Sequence, residues 1–600
     1  MRKKHLVAAL AVPVAGAVVI APSGATASDD ASPPETGNMI FIHPDGSDAA
    51  LWELSRIYWY GPDSVSNWDQ LPAAAPYRGH AADILTNSSN GGATTHAFGF
   101  KVDAPDSFGT DSSAEDVLAG DAEEPRTVNA LSGYAGSWLR EAGNAGHPIG
   151  VVNDGDVAEP GTAAFLTEVT ERTDASALEI ARQLVEGRPD FGAADADPVV
   201  IMGGGEDLFF PTETPVCSQA EIDAALAAAG DPVATIPATC VVHRAPGDTL
   251  DEDGPSATGG LRTDGVNLAQ LAVDEGYTLI RTRAEFDALA AAVDSGDADP
   301  ADLKVLALLA SQDIFNAVTE EELMAAGLVD PSVPEDARET NLVLYGSEPG
   351  TPGYRPPTAP EMAQVATAVL DAHSEEAGKP FATVWEVEGT DNMANIDNAI
   401  GTLVEARSAD EMIGVAQDFL VQDPATTVLT AADGDAGGIQ AHAYNVDEET
   451  PATVGTIDLN PGEEVVGAED PEVPQNPLDG RYGRGTAPFV AAPDQFGQGL
   501  AFGVAWTSTA DLTGGVVTRA AGLAADVVDE RLSDRFDNID VYRIAYLTLF
   551  GEALAYPDGR LAPTRPALQG TTPGQPDEDV VIDEIPVDEG ERADGGTSTP

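Results

Sequence analysis

The chain reads as an α/β protein, a three-layer sandwich in which a central, mainly parallel β-sheet is flanked by helices and carries surface insertions. Three observations predict this class. Short, uniformly apolar runs recur along the chain, alanine-rich segments with helical periodicity lie between them, and three of the runs end on acidic residues. A strand covered on both faces must be apolar throughout, which is the pattern of a parallel sheet packed between helical layers.

Asn38–Ile42 (Asn-Met-Ile-Phe-Ile) is the first predicted strand, followed by Ile149–Val152, Val199–Met202, Phe381–Val387 and Thr427–Thr430. Helices are predicted over Ala177–Glu186, Ala220–Ala229, Arg283–Ala292, Glu320–Ala326 and Pro360–His373, where apolar residues recur at helical spacing. Two stretches, about 217–264 and 445–485, are rich in Pro, Gly, Asp and Glu and read as insertions within one domain spanning 28–561. Residues 562–600 are Pro-, Gly- and acid-rich, the composition of a disordered acidic tail. At the other end, Met1-Arg2-Lys3-Lys4, the apolar stretch from Leu6 to Ile20 and Ala25-Thr26-Ala27 form the basic, apolar and cleavage regions of a signal peptide, 1–27. The expectation is a secreted, extracellular protein beginning at Ser28. No later run has the length of a membrane span.

Charge narrows the partners. The chain carries 101 acidic and 29 basic residues, a net charge of −72, and loss of Arg2, Lys3 and Lys4 with the leader makes it −75. Such a surface repels nucleic acid and anionic membranes. Two explanations stand: adaptation to a salty medium that screens the repulsion, or a calcium-binding surface. The acids are spread along the chain rather than gathered into repeated ligand loops, which favours the first. Cys217 and Cys240 are the only cysteines, and in an oxidising compartment they are expected to pair as a disulfide.

The strand ends carry the chemistry. The first strand runs into His43-Pro44-Asp45-Gly46. The run Phe381–Val387 carries Glu386 and leads into Glu388-Gly389-Thr390-Asp391, and Thr427–Thr430 leads into Ala431-Ala432-Asp433-Gly434-Asp435. Carboxyl ends of parallel strands share one edge of a sheet, and ligands bind there. Gathered at that edge, the acids repel one another unless cations neutralise them, so a metal site is expected. Taken singly, each aspartate also suits the cap of a following helix or turn.

Thr86-Asn87-Ser88-Ser89-Asn90-Gly91-Gly92-Ala93-Thr94-Thr95-His96-Ala97-Phe98-Gly99-Phe100-Lys101 is the most informative stretch. Its small residues let backbone approach an anion, and a serine at a helix start can face one. The segment resembles the nucleophile region of the alkaline phosphatase family, with Ser89 in the serine position and Thr94, Gly99 and Lys101 at the family distances. Ser88 stands where the family has an aspartate. Met39–Gly46 resembles the family's opening strand, and Glu159-Pro160-Gly161-Thr162-Ala163-Ala164-Phe165 resembles a later segment. Arg172 falls thirteen residues beyond Glu159, the family spacing of the phosphate-binding arginine. Met202-Gly203-Gly204-Gly205 with Phe209-Phe210-Pro211, and Asp537-Asn538-Ile539-Asp540-Val541-Tyr542-Arg543, continue the order, so the resemblance spans roughly Asn38 to Ala553.

The resemblance implies a metal-dependent phosphomonoesterase acting on a small phosphate ester, with Ser89 as nucleophile and Arg172 on the phosphate. Asp45 and Asp433 would hold one metal, Asp391 a second, and Glu159 with Glu386 or Glu388 a third. The family pattern is two Zn²⁺ and one Mg²⁺, and the oligomeric state is left open, with a homodimer as one option. Here the zinc-binding histidines are replaced by Asn395, Gly434 and Leu512. Oxygen donors, including Asn395 and Asp435, suit Mg²⁺ or Ca²⁺ in place of zinc, and His43, His96 or His442 are candidate imidazoles from new positions, His43 foremost. Phosphodiester hydrolysis on the same fold, and a catalytically degenerate calcium-binding surface protein, are the rival readings.

Overall fold

The computed structural model describes residues 36–103, 108–111, 126–170, 174–187, 197–227, 235–243, 259–315, 317–320, 322, 356–443, 478–484, 488–532 and 536–554. The leader, the acidic tail, Arg172, most of the predicted helix Glu320–Ala326 and most of the second insertion lie outside the described residues. Among the described residues, no helix is long and apolar enough to cross a membrane.

Ten strands form one sheet: β1 (Asn38–Pro44), β2 (Ala73–Arg78), β3 (Ile149–Asp156), β4 (Val200–Gly204), β5 (Thr278–Ile280), β6 (Val305–Leu308), β7 (Ala382–Val387), β8 (Thr426–Thr430), β9 (Val517–Gly522) and β10 (Phe536–Asp537). Their order across the sheet is β10-β2-β9-β8-β1-β7-β3-β4-β6-β5. All pairings are parallel except those of β9 with β8 and β2. All five predicted strands are present.

Helices that matter for the site are α1 (Ala49–Trp59), α2 (Ser89–Phe98), α3 (Pro160–Ala163), α4 (Ala359–Ala377), α5 (Gly389–Asn395), α6 (Ala399–Gln422) and α7 (Ile539–Phe550). Each face of the sheet is covered. Met39 and Phe41 of β1 join one core with Ala93, Ala97 and Phe98 of α2 and Val541 and Ile544 of α7. Ile40 and Ile42, pointing the other way, join a second core with Met362, Ala366 and Val369 of α4 and Met412 and Ile413 of α6. The strict alternation on a strand with both faces buried is what makes its sequence continuously apolar.

A five-stranded sheet of short strands, within Gln440–Ala443, Asp479–Gly480, Gly483–Arg484, Phe489–Val490 and Ala501–Ala505, packs Phe489, Phe502 and Val504 against Leu51 and Leu54 of α1. Cys217 and Cys240 form a disulfide and join Ile222, Ile236 and Val242 in a satellite core. Arg281, fully buried, tethers that unit by pairing with Glu206 at 3.0 Å and donating to the carbonyls of Ile236, Pro237 and Cys240.

Candidate active site and metal centre

Register brings the acids together. In the parallel ladder of β1 and β7, His43 lies opposite Glu386 and Pro44 opposite Val387, and the Asp45 N–H donates to the Val387 carbonyl at 3.0 Å. Pairing of β1 with β8 on its other side sets Asp433, three residues past β8, beside the same edge. Helix α5 starts directly after Glu388, and its i, i+4 pair Asp391 and Asn395 share one face. Gly46 permits the approach: at φ 60° it is in left-handed backbone, and a Cβ there would lie 2.6 Å from Asp391 Oδ1.

Asp45 (0%), Asp433 (2%), Glu386 (0%), Glu388 (2%) and Asp391 (6%) have almost no solvent exposure. Glu388 Oε2, Asp435 Oδ1 and Asn395 Oδ1 are buried with no hydrogen-bond partner, and the Asp45 and Asp433 carboxyls have only each other, a pairing that lowers the one and raises the other. Burial, with the charges of Glu386 and Asp511, pushes Asp45 up to about 7. Asp433 is held well above the carboxylate range by burial, then by Asp45 and Asp511. Asp391 is raised in the same way by burial and by Asp511, Asp45 and Asp433. Glu388 is held well above the carboxylate range by burial and then by the charge of Glu159, itself half-buried. Burial and the charges of Asp48 and Asp511 push Asp435 up to about 7. Carboxylates this crowded keep their charge only where cations sit among them. None of Asp45, Asp391 and Asp433 is a helix N-cap; that role falls to Asp48, whose Oδ1 accepts from the Leu51 N–H at 2.7 Å.

Asp511 is the site residue that sequence reasoning missed. Asn395 Nδ2 donates to both Asp391 oxygens, at 3.1 and 3.0 Å, and to Asp511 Oδ1 at 3.0 Å. A short backbone bridge holds Asp511 there: the Asp435 N–H donates to the Leu512 carbonyl and the Leu512 N–H to Asp435.

Ser89 is the first residue of α2 and is half-buried. Ser88 caps the helix, its Oγ accepting from the Gly91 N–H at 3.4 Å. One turn on, Gly92 rests against Asp433: a Cβ there would lie 2.4 Å from Asp433 Cβ. The start of α2 thus abuts the carboxylate cluster. Asn87 is buried beside it with both amide atoms unpartnered. Thr94 and Lys101 serve the scaffold, the threonine accepting from the Gly109 N–H and the lysine pairing with Asp537 at 2.9 Å.

The histidines divide. His43, fully buried, has Nε2 at 3.5 Å from Asp45 Oδ1 and Nδ1 at 3.3 Å from Glu386 Oε1. His96 is bound to the Tyr77 hydroxyl through Nε2 at 2.6 Å. His442 sits in the small sheet at Gln440–Ala443.

The alkaline phosphatase family model matches residues 38–455, which includes every carboxylate of the cluster except Asp511. The chain belongs to the alkaline phosphatase family. Solved alkaline phosphatases share its fold. The enzyme from the Antarctic bacterium TAB5 is 14% identical at TM-score 0.50, covering 86% of this chain and 99% of that one. The enzyme from Thermus thermophilus is 16% identical at TM-score 0.50, covering 88% and 93%. A TAB5 variant with a histidine changed to aspartate and Mg bound in its M3 site is 15% identical at TM-score 0.50, covering 86% and 99%. A search of curated proteins by sequence found no match.

Against the alkaline phosphatase pattern of imidazole-rich zinc sites, the donors here are mostly oxygen. The orphaned oxygens of Asp45, Asp433, Asp435, Glu388 and Asn395 fit a hard divalent cation; they do not reproduce a standard zinc pair. Ligand atoms of His43, Asp45 and Asp433 lie within 4.8 Å of one another, as do those of Asp45, Glu386 and Glu388.

Proposed function

We propose that this alkaline phosphatase family member is a secreted, metal-dependent phosphomonoesterase that works through a phosphoserine intermediate. The observation that carries the reading is the contact of Gly92, in the first turn of the Ser89 helix, with Asp433, which brings the N-terminus of that helix against the buried carboxylate cluster. Asp45 and Asp433 would hold one cation, Asp391 with Asn395, Asp435 and Asp511 a second, and Glu388 with Glu159 a third. Bound cations supply acidification of the serine hydroxyl and neutralisation of phosphoryl charge.

The chain's own residues do the rest. Backbone N–H groups at the start of α2 face the phosphoryl oxygens. Ser89 gives up its proton and attacks phosphorus; the Oγ–P bond forms as the ester P–O bond breaks, and the alcohol leaves. Water then displaces Ser89, releasing phosphate. Arg172 is proposed to pair two phosphoryl oxygens through its planar fork. Secretion is supported by the basic and apolar leader and by the disulfide, which persists in oxidising compartments.

Ser89→Ala should lower turnover of a chromogenic phosphomonoester by several orders of magnitude without changing the thermal transition. Chelation should abolish activity, and Ca²⁺, Mg²⁺ or Mn²⁺ should restore it at least as well as Zn²⁺. Wild-type turnover in Ser89→Ala would remove the phosphoserine step. Hydrolysis of diesters but not monoesters would move the assignment to phosphodiesterase, and no turnover of either with metal bound would favour a calcium-binding scaffold.

A further inference from the structure

We infer that His43 supplies, from β1, an imidazole ligand to the cation held by Asp45 and Asp433, and that Glu386 is the residue that orients this imidazole rather than a metal ligand. The inference rests on the metal-dependent reading above and assigns atoms within it.

Both ring nitrogens of His43 are inside the protein, yet they have different surroundings. Nδ1 faces Glu386 Oε1 at 3.3 Å. Nε2 has no hydrogen-bond partner and lies 3.5 Å from Asp45 Oδ1, and a ring nitrogen of His43 lies within 4.8 Å of carboxylate oxygens of both Asp45 and Asp433. Apart from each other, those two carboxyls have no partner at Asp45 Oδ2 or at either Asp433 oxygen. A buried ring that donates Nδ1–H to a carboxylate keeps a lone pair on Nε2, and here Nε2 is on the side of Asp45. Donation of the far N–H to a carboxylate is the arrangement that fixes tautomer and orientation in metal-binding histidines.

Glu386 is built for the orienting role. Its Oε1 takes the imidazole, and its Oε2 accepts from Asn153 Nδ2. Asn153 is held in turn, its Oδ1 accepting from the Gly155 N–H at 2.7 Å. Both oxygens of Glu386 are therefore engaged, whereas Glu388 keeps Oε2 open. This separates the two glutamates that the motif left as alternatives: Glu388 faces the cation side, and Glu386 serves His43.

The ring has no room to swing. A Cβ on Gly161 of α3 would fall 2.3 Å from His43 Nδ1 and 1.7 Å from Glu386 Oε1, so the helix lies directly on the pair. Phe41 stacks on the ring at 6.0 Å, and His96 meets it edge-on at 5.4 Å. The nitrogen donor missing at Gly434, next to Asp433 on one strand end, is thus replaced from the neighbouring strand.

The test uses the full chain, stripped by chelation and loaded with Mn²⁺. Calorimetry first establishes that Mn²⁺ binds, and pulsed electron paramagnetic resonance then looks for imidazole-nitrogen coupling to the ion. Coupling is expected in the wild type, in His96→Gln and in Glu386→Gln, and its loss is expected in His43→Gln. Mn²⁺ affinity should fall about 10–100-fold in Glu386→Gln, because the imidazole is no longer held by a carboxylate. Mn²⁺ binding without nitrogen coupling in the wild type, or coupling that survives His43→Gln, overturns the assignment while leaving the metal-dependent reading intact. Absence of Mn²⁺ binding to the wild type overturns both. If His43→Gln fails to fold, His96→Gln still decides: loss of the coupling there assigns it to His96 and overturns the proposal, and its persistence supports His43.

Discussion

Gly92→Ala tests whether contact between α2 and Asp433 is what aligns the site. The added methyl would lie 2.4 Å from Asp433 Cβ and 3.2 Å from its Cγ. Ordinary carbon–carbon contacts are about 3.5–4.0 Å, so the first turn of α2 and the end of β8 must part by roughly 1 Å. Two effects on stability oppose each other. Alanine gains about 1 kcal/mol of helix propensity over glycine, and overpacking costs about 1–3 kcal/mol. The net change is therefore at most about 2 kcal/mol, and the fold survives. Catalysis has no such offset, since a displacement of about 1 Å between nucleophile and its partners can cost about 100-fold. The expected result is a kcat about 100-fold down, with a melting temperature within a few degrees of wild type. Steady-state hydrolysis of a chromogenic phosphomonoester at saturating metal, with thermal denaturation in the same buffer, measures both. A kcat within about threefold of wild type would refute the claim that this contact positions Ser89.

Salt and pH give two further predictions. With a net charge of −72, the melting temperature should climb between about 0.1 M and about 1 M NaCl, as the screening length shrinks from about 10 Å to about 3 Å; a flat profile by calorimetry would leave the charge without a stability role. Stripped of metal, the protein should be less stable at about pH 8 than at about pH 5, as read from urea midpoints. Asp45 is raised from 3.8 to about 7, so the folded state holds a proton that the unfolded chain releases. The resulting penalty is absent below about pH 4 and complete above about pH 7. Divalent cation should remove the penalty, and a pH-independent midpoint in the stripped protein would contradict it.

The central strands were legible because burial on both faces leaves only apolar residues, as in Met39–Ile42. The acids at their ends were legible for the same reason, since a charge abutting an apolar run stands out. β9 was not, because Val-Thr-Arg-Ala-Ala-Gly lacks both alternation and bulk and is held as a strand by β8 and β2. Nor was α6, which buries residues at Ile400, Leu403, Ala406, Ala409, Met412 and Ile413 but opens on a glycine-containing turn capped by Asn398. Asp511 escaped because motif spacing pointed one residue on, to Leu512, and only the backbone bridge to Asp435 shows which of the two side chains meets Asn395. The difference between Glu386 and Glu388 is likewise a matter of partners: the two share a strand end, and only the bonds from His43 and Asn153 tell them apart.

The position of β1 in the sheet has a consequence for when the site comes into being. Asn38 bonds side chains 385 and 388 positions away and accepts from the backbone of Phe381, 343 positions away. Asp45 therefore meets Asp433 only after the first strand has closed loops of hundreds of residues, the kind of long-range pairing that makes folding slow. A nascent chain, or one threading a translocation channel, holds the same acids far apart as weak and separate ligands. Cation capture belongs to the last stage of assembly, and a cation that binds only the finished fold draws the equilibrium toward it in proportion to its concentration. On the proposed route of export before folding, the ion bound would be set by the medium in which folding ends and not by the metal pool of the cell that made the chain.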